Sequence, residues 1–443
     1  VTRARDVAAR VLERVEQRDA FAAATLDAEL ARHVQLEARD RALATELVYG
    51  TLRVLPWLSS EIARFAPKGI DRLDPKVRAH LLLAAYQTAF TRVPAFAAVS
   101  EAVGAVRAAR GDRMASFANA VLRKVAARAE SMTDDERAQA VFASAPGWLR
   151  DSLTRSLSAD DARAFLASNA EPPAVALRVE RAEERDAWIE RLRAAVPDAR
   201  FAPGMLSPHA VLARGAGKPQ RLPGWTEGAW SVQEEGSQIA ALALGTRPGD
   251  AVLDACAGRG NKTGVLARAA GSSGAVDACD ALPAKLERLR EELARIGLAP
   301  RATYAVDWRV GSGDVTAAYD RVLVDAPCSG VGTLRRRPEI GLRRQALDLE
   351  TLVRAQIEIA TRAAEHVRPG GTLVYVVCSV LREESEDVVA ALQRARPELE
   401  AAPFETTEAR AVAGDSATFR LLPQRHGTDG YFVARLRSRR PTL

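Results

Sequence analysis

From about Ser231 onward, short apolar runs alternate with helical stretches, and this feature constrains the fold more than any other. The runs cover residues 251–253, 275–279, 302–306, 321–324 and 373–377, with helical segments such as 284–296 and 345–367 between them. Strands buried on both faces read as apolar runs, and parallel neighbours need a crossover, usually a helix, to bring the chain back. The alternation therefore predicts a doubly wound parallel sheet, that is, an α/β Rossmann-like domain over residues 231–443.

Upstream the period changes. Val7, Val11, Leu12 and Val15 share one helical face, as do Val77, Leu81, Leu82, Ala85 and Tyr86, and then Phe117, Val121, Leu122 and Val125. Breaks fall at Pro56, at Pro67-Lys68-Gly69 and at Val93-Pro94, and no alternating run suggests a strand. Residues 1–130 are therefore expected to form an all-helical domain. Residues 131–230 read as a connector, with a break at Pro146-Gly147, and then a small α+β subdomain. That subdomain shows helical patterns over 148–157 and 187–195 and a strand-like 175–179 after Pro172-Pro173. Pro and Gly are dense from 203 to 228. The protein is thus expected to be multidomain.

Charge separates the same regions. The net charge is +6, and residues 1–130 hold 21 Lys+Arg against 15 Asp+Glu, so the whole excess lies in the N-terminal third. A basic face is the usual footprint of a polyanion such as RNA; a solvated, arginine-rich helical surface is the plainer alternative. No apolar run approaches the ~18 residues of a membrane helix. Residues 1–18 carry acids and bases throughout, without the apolar core of a signal peptide. These features predict a soluble, cytoplasmic protein with no membrane partner, and the mixed surface suggests a monomer. The four cysteines, Cys256, Cys279, Cys328 and Cys378, form no Cys-x-x-Cys pair, and the five histidines are scattered. No metal site is expected, and the thiols should be free.

Acids recur where the predicted strands end: Asp254, Asp280, Asp307 and Asp325. Ligands of open α/β sheets bind at the carboxyl ends of the strands, so four acids in order suggest a site along one edge. The first strand runs into Asp254-Ala-Cys-Ala-Gly-Arg-Gly-Asn-Lys-Thr263. Cys256, Ala257, Gly258, Arg259, Gly260, Asn261 and Lys262 would line a tight turn opening a helix, whose first amides favour a carboxylate or phosphate. The signal fits NAD, ATP or S-adenosylmethionine alike, although neither the phosphate-cradling spacing nor the dinucleotide Gly-x-Gly-x-x-Gly is present. Asp280 follows Asp254 by 26 residues, where an acid can accept from both ribose hydroxyls; capping the next helix is the alternative. Asp307 could take an adenine amino group, or be a turn acid.

Two further segments carry the chemistry: Val324-Asp-Ala-Pro-Cys-Ser-Gly-Val-Gly332 and Leu373-Val-Tyr-Val-Val-Cys-Ser379. Each puts a cysteine at the end of a predicted strand beside small residues that leave room for a substrate. Methylation at carbon 5 of a pyrimidine needs such a group. That carbon is a poor nucleophile until a thiolate adds to carbon 6, after which carbon 5 can attack a methyl sulfonium. A proton then leaves carbon 5 and the thiol is expelled. Cysteine suits the first step because its pKa is about 8.5 and its thiolate is strongly nucleophilic. Asp325 could stabilise the adduct at ring nitrogen 3. For Cys256 and Cys279 a core role is the better reading. Sequence physics alone does not say which of Cys328 and Cys378 attacks.

Residues 254–263, 325–332 and Val377-Cys378-Ser379 resemble the signature segments of RNA (cytosine-C5)-methyltransferases, and within that group the chain is similar to the bacterial Sun/Fmu type, which modifies small-subunit ribosomal RNA. Glu46-Leu-Val-Tyr-Gly-Thr-Leu-Arg53 and Phe117-Ala-Asn-Ala-Val-Leu-Arg-Lys124 resemble the NusB-like RNA-binding domain of those enzymes. The resemblance covers nearly the whole chain. It implies S-adenosylmethionine as cofactor, Cys378 as nucleophile, and Cys328 as the group assisting proton removal and product release. It also implies that Asp325 holds the cytosine edge, Lys262 contacts cofactor or base, Asp280 binds the ribose and Asp307 the adenine. The family loop usually reads Pro-Gly-Gly-Lys where this chain has Arg259-Gly260-Asn261-Lys262; Asn tolerates positive φ, so the turn can survive. Arg335, Arg336 and Arg337 follow the Cys328 loop and could grip RNA phosphates, a solvated turn being the alternative. Two rival functions stay open. One is the same chemistry on transfer RNA. The other is a non-catalytic RNA-binding assembly factor, against which the intact Cys328, Cys378, Asp325 and Lys262 argue.

Overall fold

The structure is a computed structural model that describes residues 4–17, 20–66, 69–170 and 173–439. It divides into two units, Val1–Pro172 with Leu334–Arg343, and Pro173–Thr333 with Arg344–Leu443. The stretch expected as one connector and subdomain over 131–230 is thus shared. Described residues up to 170 fold with the N-terminal helices, and residues 173–333 and 344–439 fold with the C-terminal sheet.

The first unit is helical. Helices Ala4–Gln17, Ala22–Arg32, Ala38–Arg53, Leu55–Ala63, Pro75–Phe90 and Ala95–Glu130 are followed by Asp134–Ser144, Gly147–Ser156 and Ala159–Ala167. The faces read from the sequence point inward: Val7, Val11, Leu12 and Val15 join Leu81, Leu82, Tyr86, Val121, Leu122 and Val125 in one core, with Phe117 packed at its margin. Pro75–Phe90 is apolar nearly all round, as a central helix must be, and buries ten of its residues. Pro56 falls in the first turn of Leu55–Ala63, where a missing N–H costs nothing, and Val93-Pro94 separates the next two helices. Of the break at Pro67-Lys68-Gly69, Pro67 and Lys68 lie outside the described residues; Gly69 has φ 79°. Pro172 of the Pro172-Pro173 pair lies outside them as well. Within Ala95–Glu130 the chain kinks at Gly111 (φ 80°). A capping box between Thr133 and Glu136 restarts the chain as a helix, so the polar stretch after Ser131 is not a loose linker.

The second unit contains two sheets. The smaller joins β1 (Val175–Val179), β2 (Arg200–Pro203), β3 (Ala210–Arg214) and β4 (Trp230–Val232) in the order β2-β3-β1-β4, all antiparallel. Trp188, Ile189 and Leu192 of helix Arg185–Ala195 share its apolar core. The larger contains β5 (Ala251–Asp254), β6 (Ala275–Asp280), β7 (Ala302–Ala305), β8 (Tyr319–Asp325), β9 (Val367–Val377), β10 (Leu399–Ala401), β11 (Thr418–Leu421) and β12 (Tyr431–Ser438). Its order is β10-β12-β9-β8-β5-β6-β7, with β11 paired to β12. The five runs read from the sequence are β5 to β9, and they pair in parallel. The sheet is mixed rather than wholly parallel, because β10, β11 and β12 add antiparallel pairs at one side. Helices Pro283–Arg295 and Ala346–Ala364 cover it near the positions expected. Among the described residues no helix is long and apolar enough to cross a membrane.

The helical unit offers a direct test of local stabilisation. Asp74 caps Pro75–Phe90 by accepting from the Lys76 and Val77 amides and also pairs with Arg110. The Arg110 guanidinium and those two amides hold the Asp74 carboxyl below the usual carboxylate range. A depressed native value means that the stabilisation is full above the unfolded titration near 3.8 and is lost as pH falls through the native value. Asp74→Ala should destabilise the full chain by about 1 kcal/mol in urea near neutrality. The gap from the parent should close in acid, and an equal gap at both pH values would contradict the capping account.

Candidate active site

The site grows from a reversal of chain direction. From β5 the chain steps to β6 and β7 on one side, then returns to place β8 on the other. Loops leaving β5 and β8 therefore diverge, which opens a crevice at the carboxyl edge. Asp254, Asp280 and Asp325 are the last residues of β5, β6 and β8, and Cys378 directly follows β9.

The loop after β5 turns at Gly258 (φ 58°) and Gly260 (φ 88°). Asn261 is already the first residue of helix Asn261–Ala270, so the positive φ that the sequence reading assigned to Asn tolerance falls on the glycines instead. Asp280 Oδ2 accepts the Gly258 amide at 3.1 Å, and Oδ1 accepts the Leu282 amide at 2.9 Å, so it braces both this loop and the turn before the next helix. Its contact within that helix is Lys285 Nζ at 3.2 Å, and the helix N-cap, Leu282, has no side-chain cap. Asp254 is fully buried and takes the Thr263 hydroxyl on Oδ2 at 2.7 Å. Its Oδ1 is buried without a hydrogen-bond partner among the described residues. Burial, only partly opposed by Thr263, pushes its carboxyl up to about 7. Ala257 N donates to Cys279 O at 2.7 Å, and Cys279 is a core residue. Cys256 packs at the margin of that core, and burial drives its thiol up. Arg259 is exposed. Arg178, a buried residue of β1 that the sequence did not single out, donates to the Asn261 carbonyl and to Gln233 Oε1, each at 2.7 Å, and pairs with Glu180 at 2.6 Å.

Beside this loop, Lys262 Nζ and Asp325 Oδ2 lie 2.6 Å apart. Burial opposes the Lys262 ammonium, but the charge and hydrogen bond of Asp325, with Cys378 and Asp254, outweigh it and hold its titration above the usual lysine value. The Tyr431 ring faces Nζ at 5.8 Å. The Cys328 and Cys378 sulfurs are 3.2 Å apart. The hydrogen bond to Cys378, then burial, drives the Cys328 thiol well above the usual cysteine range. The segments carrying them are laced together: Gly332 N donates to Cys378 O at 3.0 Å, and Gly430 N donates to Gly332 O at 2.8 Å. Glu384, also unforeseen, is fully buried against the Cys328 loop and accepts the Ser329 amide at 2.7 Å. Its only sequence trace is a carboxylate six residues after Cys378.

Other expected residues stand apart. Asp307 lies two residues past β7, and its carboxylate is taken by Arg309, whose backbone amide and guanidinium donate at 3.0, 2.9 and 2.6 Å. Arg335, Arg336 and Arg337 belong to the helical unit. Arg335 is buried, with its carbonyl taking the Arg53 guanidinium at 2.9 Å; Arg336 is half-buried and Arg337 exposed. The three do not form one open cationic face, because a chain that turns into the short helix Glu339–Arg343 points successive side chains in different directions. All four cysteines are unpaired, and among the described residues no cluster of His, Cys, Asp and Glu could hold a metal ion.

Comparison with known proteins gives this architecture its class. Residues 241–437 match the family described as 16S rRNA methyltransferase RsmB/F, and residues 2–127 match the NusB family. The chain is 34% identical to the ribosomal RNA small subunit methyltransferase B of Pseudomonas putida (strain KT2440) over 97% of each chain. The crystal structure of PH0851 shares the fold with a TM-score of 0.79 at 23% identity, covering 98% of this chain and 99% of that one. NSun6 from Pyrococcus horikoshii, solved with SFG, shares it at 0.57 and 18% identity, over 66% and 98%. Fold, glycine loop and family together define an S-adenosylmethionine-dependent RNA methyltransferase. The chain belongs to the RsmB/F methyltransferase family, with a NusB-family helical domain at its N-terminal side.

The residues present fit S-adenosylmethionine. The buried, unpartnered Asp254 oxygen suits an ammonium, and the first amides of Asn261–Ala270 suit a carboxylate. At Gly258 no atom stands within 4 Å of where a Cβ would be, so the loop leaves space. The crossing at Gly332 is the tightest part of the site. A Cβ there would collide with the Gly430 carbonyl and press on Cys378 O, both backbone atoms that cannot swing aside. Gly332→Ala should cost about 1–3 kcal/mol and slow methyl transfer, read by thermal melting and tritium transfer to RNA. Parent-like behaviour in both would show that the loops are not held this closely.

Proposed function

We propose that this enzyme methylates carbon 5 of a cytosine in RNA, with 16S ribosomal RNA as substrate, through a covalent cysteine–cytosine adduct. The observation that carries the reading is the pair of thiols 3.2 Å apart beside the Lys262–Asp325 ion pair. A methyltransferase acting on nitrogen or oxygen has no use for two thiols at its sheet edge, whereas carbon 5 must first be activated by addition at carbon 6.

Cys378 is the nucleophile. Its thiolate forms the S–C6 bond, and the electron pair displaced from the C5–C6 double bond moves through C4 to nitrogen 3. Asp325 holds that edge of the base, and a proton from the Lys262–Asp325 pair neutralises nitrogen 3. Bound S-adenosylmethionine supplies the electrophilic methyl group that carbon 5 takes up, and the nitrogen 3 proton then returns to the pair. Cys328 removes the proton from carbon 5, the C5–C6 bond re-forms, and Cys378 leaves as thiolate.

The electrostatics of the pair support this division. The main influence keeping Cys328 protonated is its hydrogen bond to Cys378. Once Cys378 is a thioether that influence is gone, although burial and Glu384 remain, so Cys328 gives its proton to water more readily and serves as the base. Around the cofactor, Asp280 binds the ribose and Asp254 the ammonium. Asp307 could take the adenine amino group only by releasing Arg309. Of the three adjacent arginines, Arg337 has the exposure needed to meet an RNA phosphate.

Two measurements test the reading. Calorimetry should detect S-adenosylhomocysteine binding, with Asp280→Ala raising Kd about tenfold or more; an unchanged Kd removes the ribose role. Cys378→Ala should abolish both methyl transfer and any covalent RNA adduct. Cys328→Ala should still form the adduct and transfer the methyl group, then stall as a slow band on a denaturing gel. The reverse pattern would exchange the two roles, and activity in both variants would exclude thiol catalysis.

A further inference from the structure

We infer that Glu384 is a positioning residue for the two-thiol site: it ties the loop carrying Cys328 to the turn that follows Cys378 and thereby sets how the two sulfurs meet. The inference rests on the thiol chemistry proposed above.

Glu384 ends the short turn Arg382–Glu384 and is wholly buried. Its carboxylate accepts the Ser329 amide at 2.7 Å, the Ser329 hydroxyl, and Gln356 Nε2 at 2.9 Å. Gln356, from helix Ala346–Ala364, also donates to the Pro327 carbonyl at 3.0 Å. The residues on either side of Cys328 are therefore gripped by one carboxylate and one amide. Tyr375 of β9 closes the cluster by donating to the Glu384 carbonyl at 2.8 Å, with its hydroxyl 3.2 Å from Gln356 Oε1. The cluster spans β9, the turn behind it and the helix, so it fixes the Cys328 loop relative to the strand that delivers Cys378.

Every group aimed at this carboxylate donates to it. A glutamine has a single side-chain oxygen, and its amide nitrogen would face donors, so it could not accept from all three. The charge has a second effect, on Cys328. The titration of that thiol is raised by its hydrogen bond to Cys378, by burial and by the nearby Cys378 and Glu384, against the opposing Gly330 amide. The two acids disfavour a thiolate at Cys328, while Cys378 helps to keep Lys262 charged. Glu384 thus adds to the difference between two cysteines that are otherwise alike.

The test follows formation and decay of the covalent adduct on unmethylated small-subunit ribosomal RNA, in single turnovers from neutral to alkaline pH. The full chain is compared with Glu384→Gln, Glu384→Asp and Ser329→Ala. Glu384→Gln should slow adduct formation about tenfold or more, because the loop is less well held. It should also move the midpoint of adduct decay down by about one pH unit, because the neighbouring negative charge is gone. Glu384→Asp keeps the charge and should restore the midpoint but not the rate. A role in packing alone would lower the rates at every pH and leave the midpoint where it was, which overturns the inference, as would parent-like rates. If Glu384→Gln fails to bind S-adenosylhomocysteine, and so has lost its fold, Ser329→Ala decides. Losing one tie should slow adduct formation with the midpoint unmoved, and a parent-like rate rejects the inference. Cys378→Ala run alongside separates the two failures, since an adduct there defeats the thiol reading whatever Glu384 does.

Discussion

The parallel pairing of β8 with β9 is the constraint on which the site depends. Their register sets Asp325 opposite Val376, so both strands end at nearly the same height and release their loops side by side. Cys328 lies three residues past one end and Cys378 one residue past the other. A slip of one residue in either strand would turn its alternate side chains to the opposite face and separate the sulfurs. Pairing with β12 extends the same logic. Val377 is opposite Phe432, which brings Tyr431 to the face of Lys262 and Gly430 to the back of Gly332. Residues from distant parts of the sequence thus meet because three adjacent strands share one edge.

That edge concentrates charge in little solvent. Lys262 and Asp325 are paired, Asp254 stands near them, and Glu384 is buried behind the Cys328 loop. Removing one member of a buried pair leaves the other charge uncompensated, at a cost of about 3–5 kcal/mol. Such clusters are weak devices for stability and good ones for shifting titrations. Burial raises Asp254 to about 7, and the Cys378 hydrogen bond with burial raises Cys328 far above its ordinary range, with neighbouring acids adding to both.

What could be read from the sequence followed the strength of the local pattern. The runs that became β5 to β9 are apolar because both faces of a central strand are covered, and their terminal acids stand where a polar edge begins. The helices were legible from their buried stripes. The antiparallel strands at the sheet margin were not, since Tyr431–Ser438 carries Arg435 and Arg437 and lies among short, irregular segments. Asp254, Cys328 and Cys378 stood out because they fall at or just past predicted strand ends beside small residues, and the structure brings them to one sheet edge. Glu384 was not, because its importance comes from hydrogen bonds to Ser329 and Gln356, 55 and 28 residues away. Arg335 misled for the converse reason: three consecutive arginines look like one patch, but burial of the first depends on packing within the helical unit.

The loop Arg259-Gly260-Asn261-Lys262, where the resemblance predicts Pro-Gly-Gly-Lys, is held without a proline or a third glycine. The loop requires left-handed backbone at residues 258 and 260, and both are glycine. Gly260 is also pinned by packing, since a Cβ there would press on the Leu289 side chain. The next position needs only to begin a helix, which asparagine does readily, and its carbonyl is held by Arg178 from the small sheet. Arg178 is itself locked by Glu180 and Gln233, so the loop is supported from β1 as well as by Asp280 from β6. Residue 259 lies between the two turning points with its side chain exposed. Proline at that position would limit the loop before folding; arginine gives up that restriction but leaves both anchors in place. The geometry that presents Lys262 to Asp325 therefore depends on the glycines and their two carriers, and not on the side chain of Arg259.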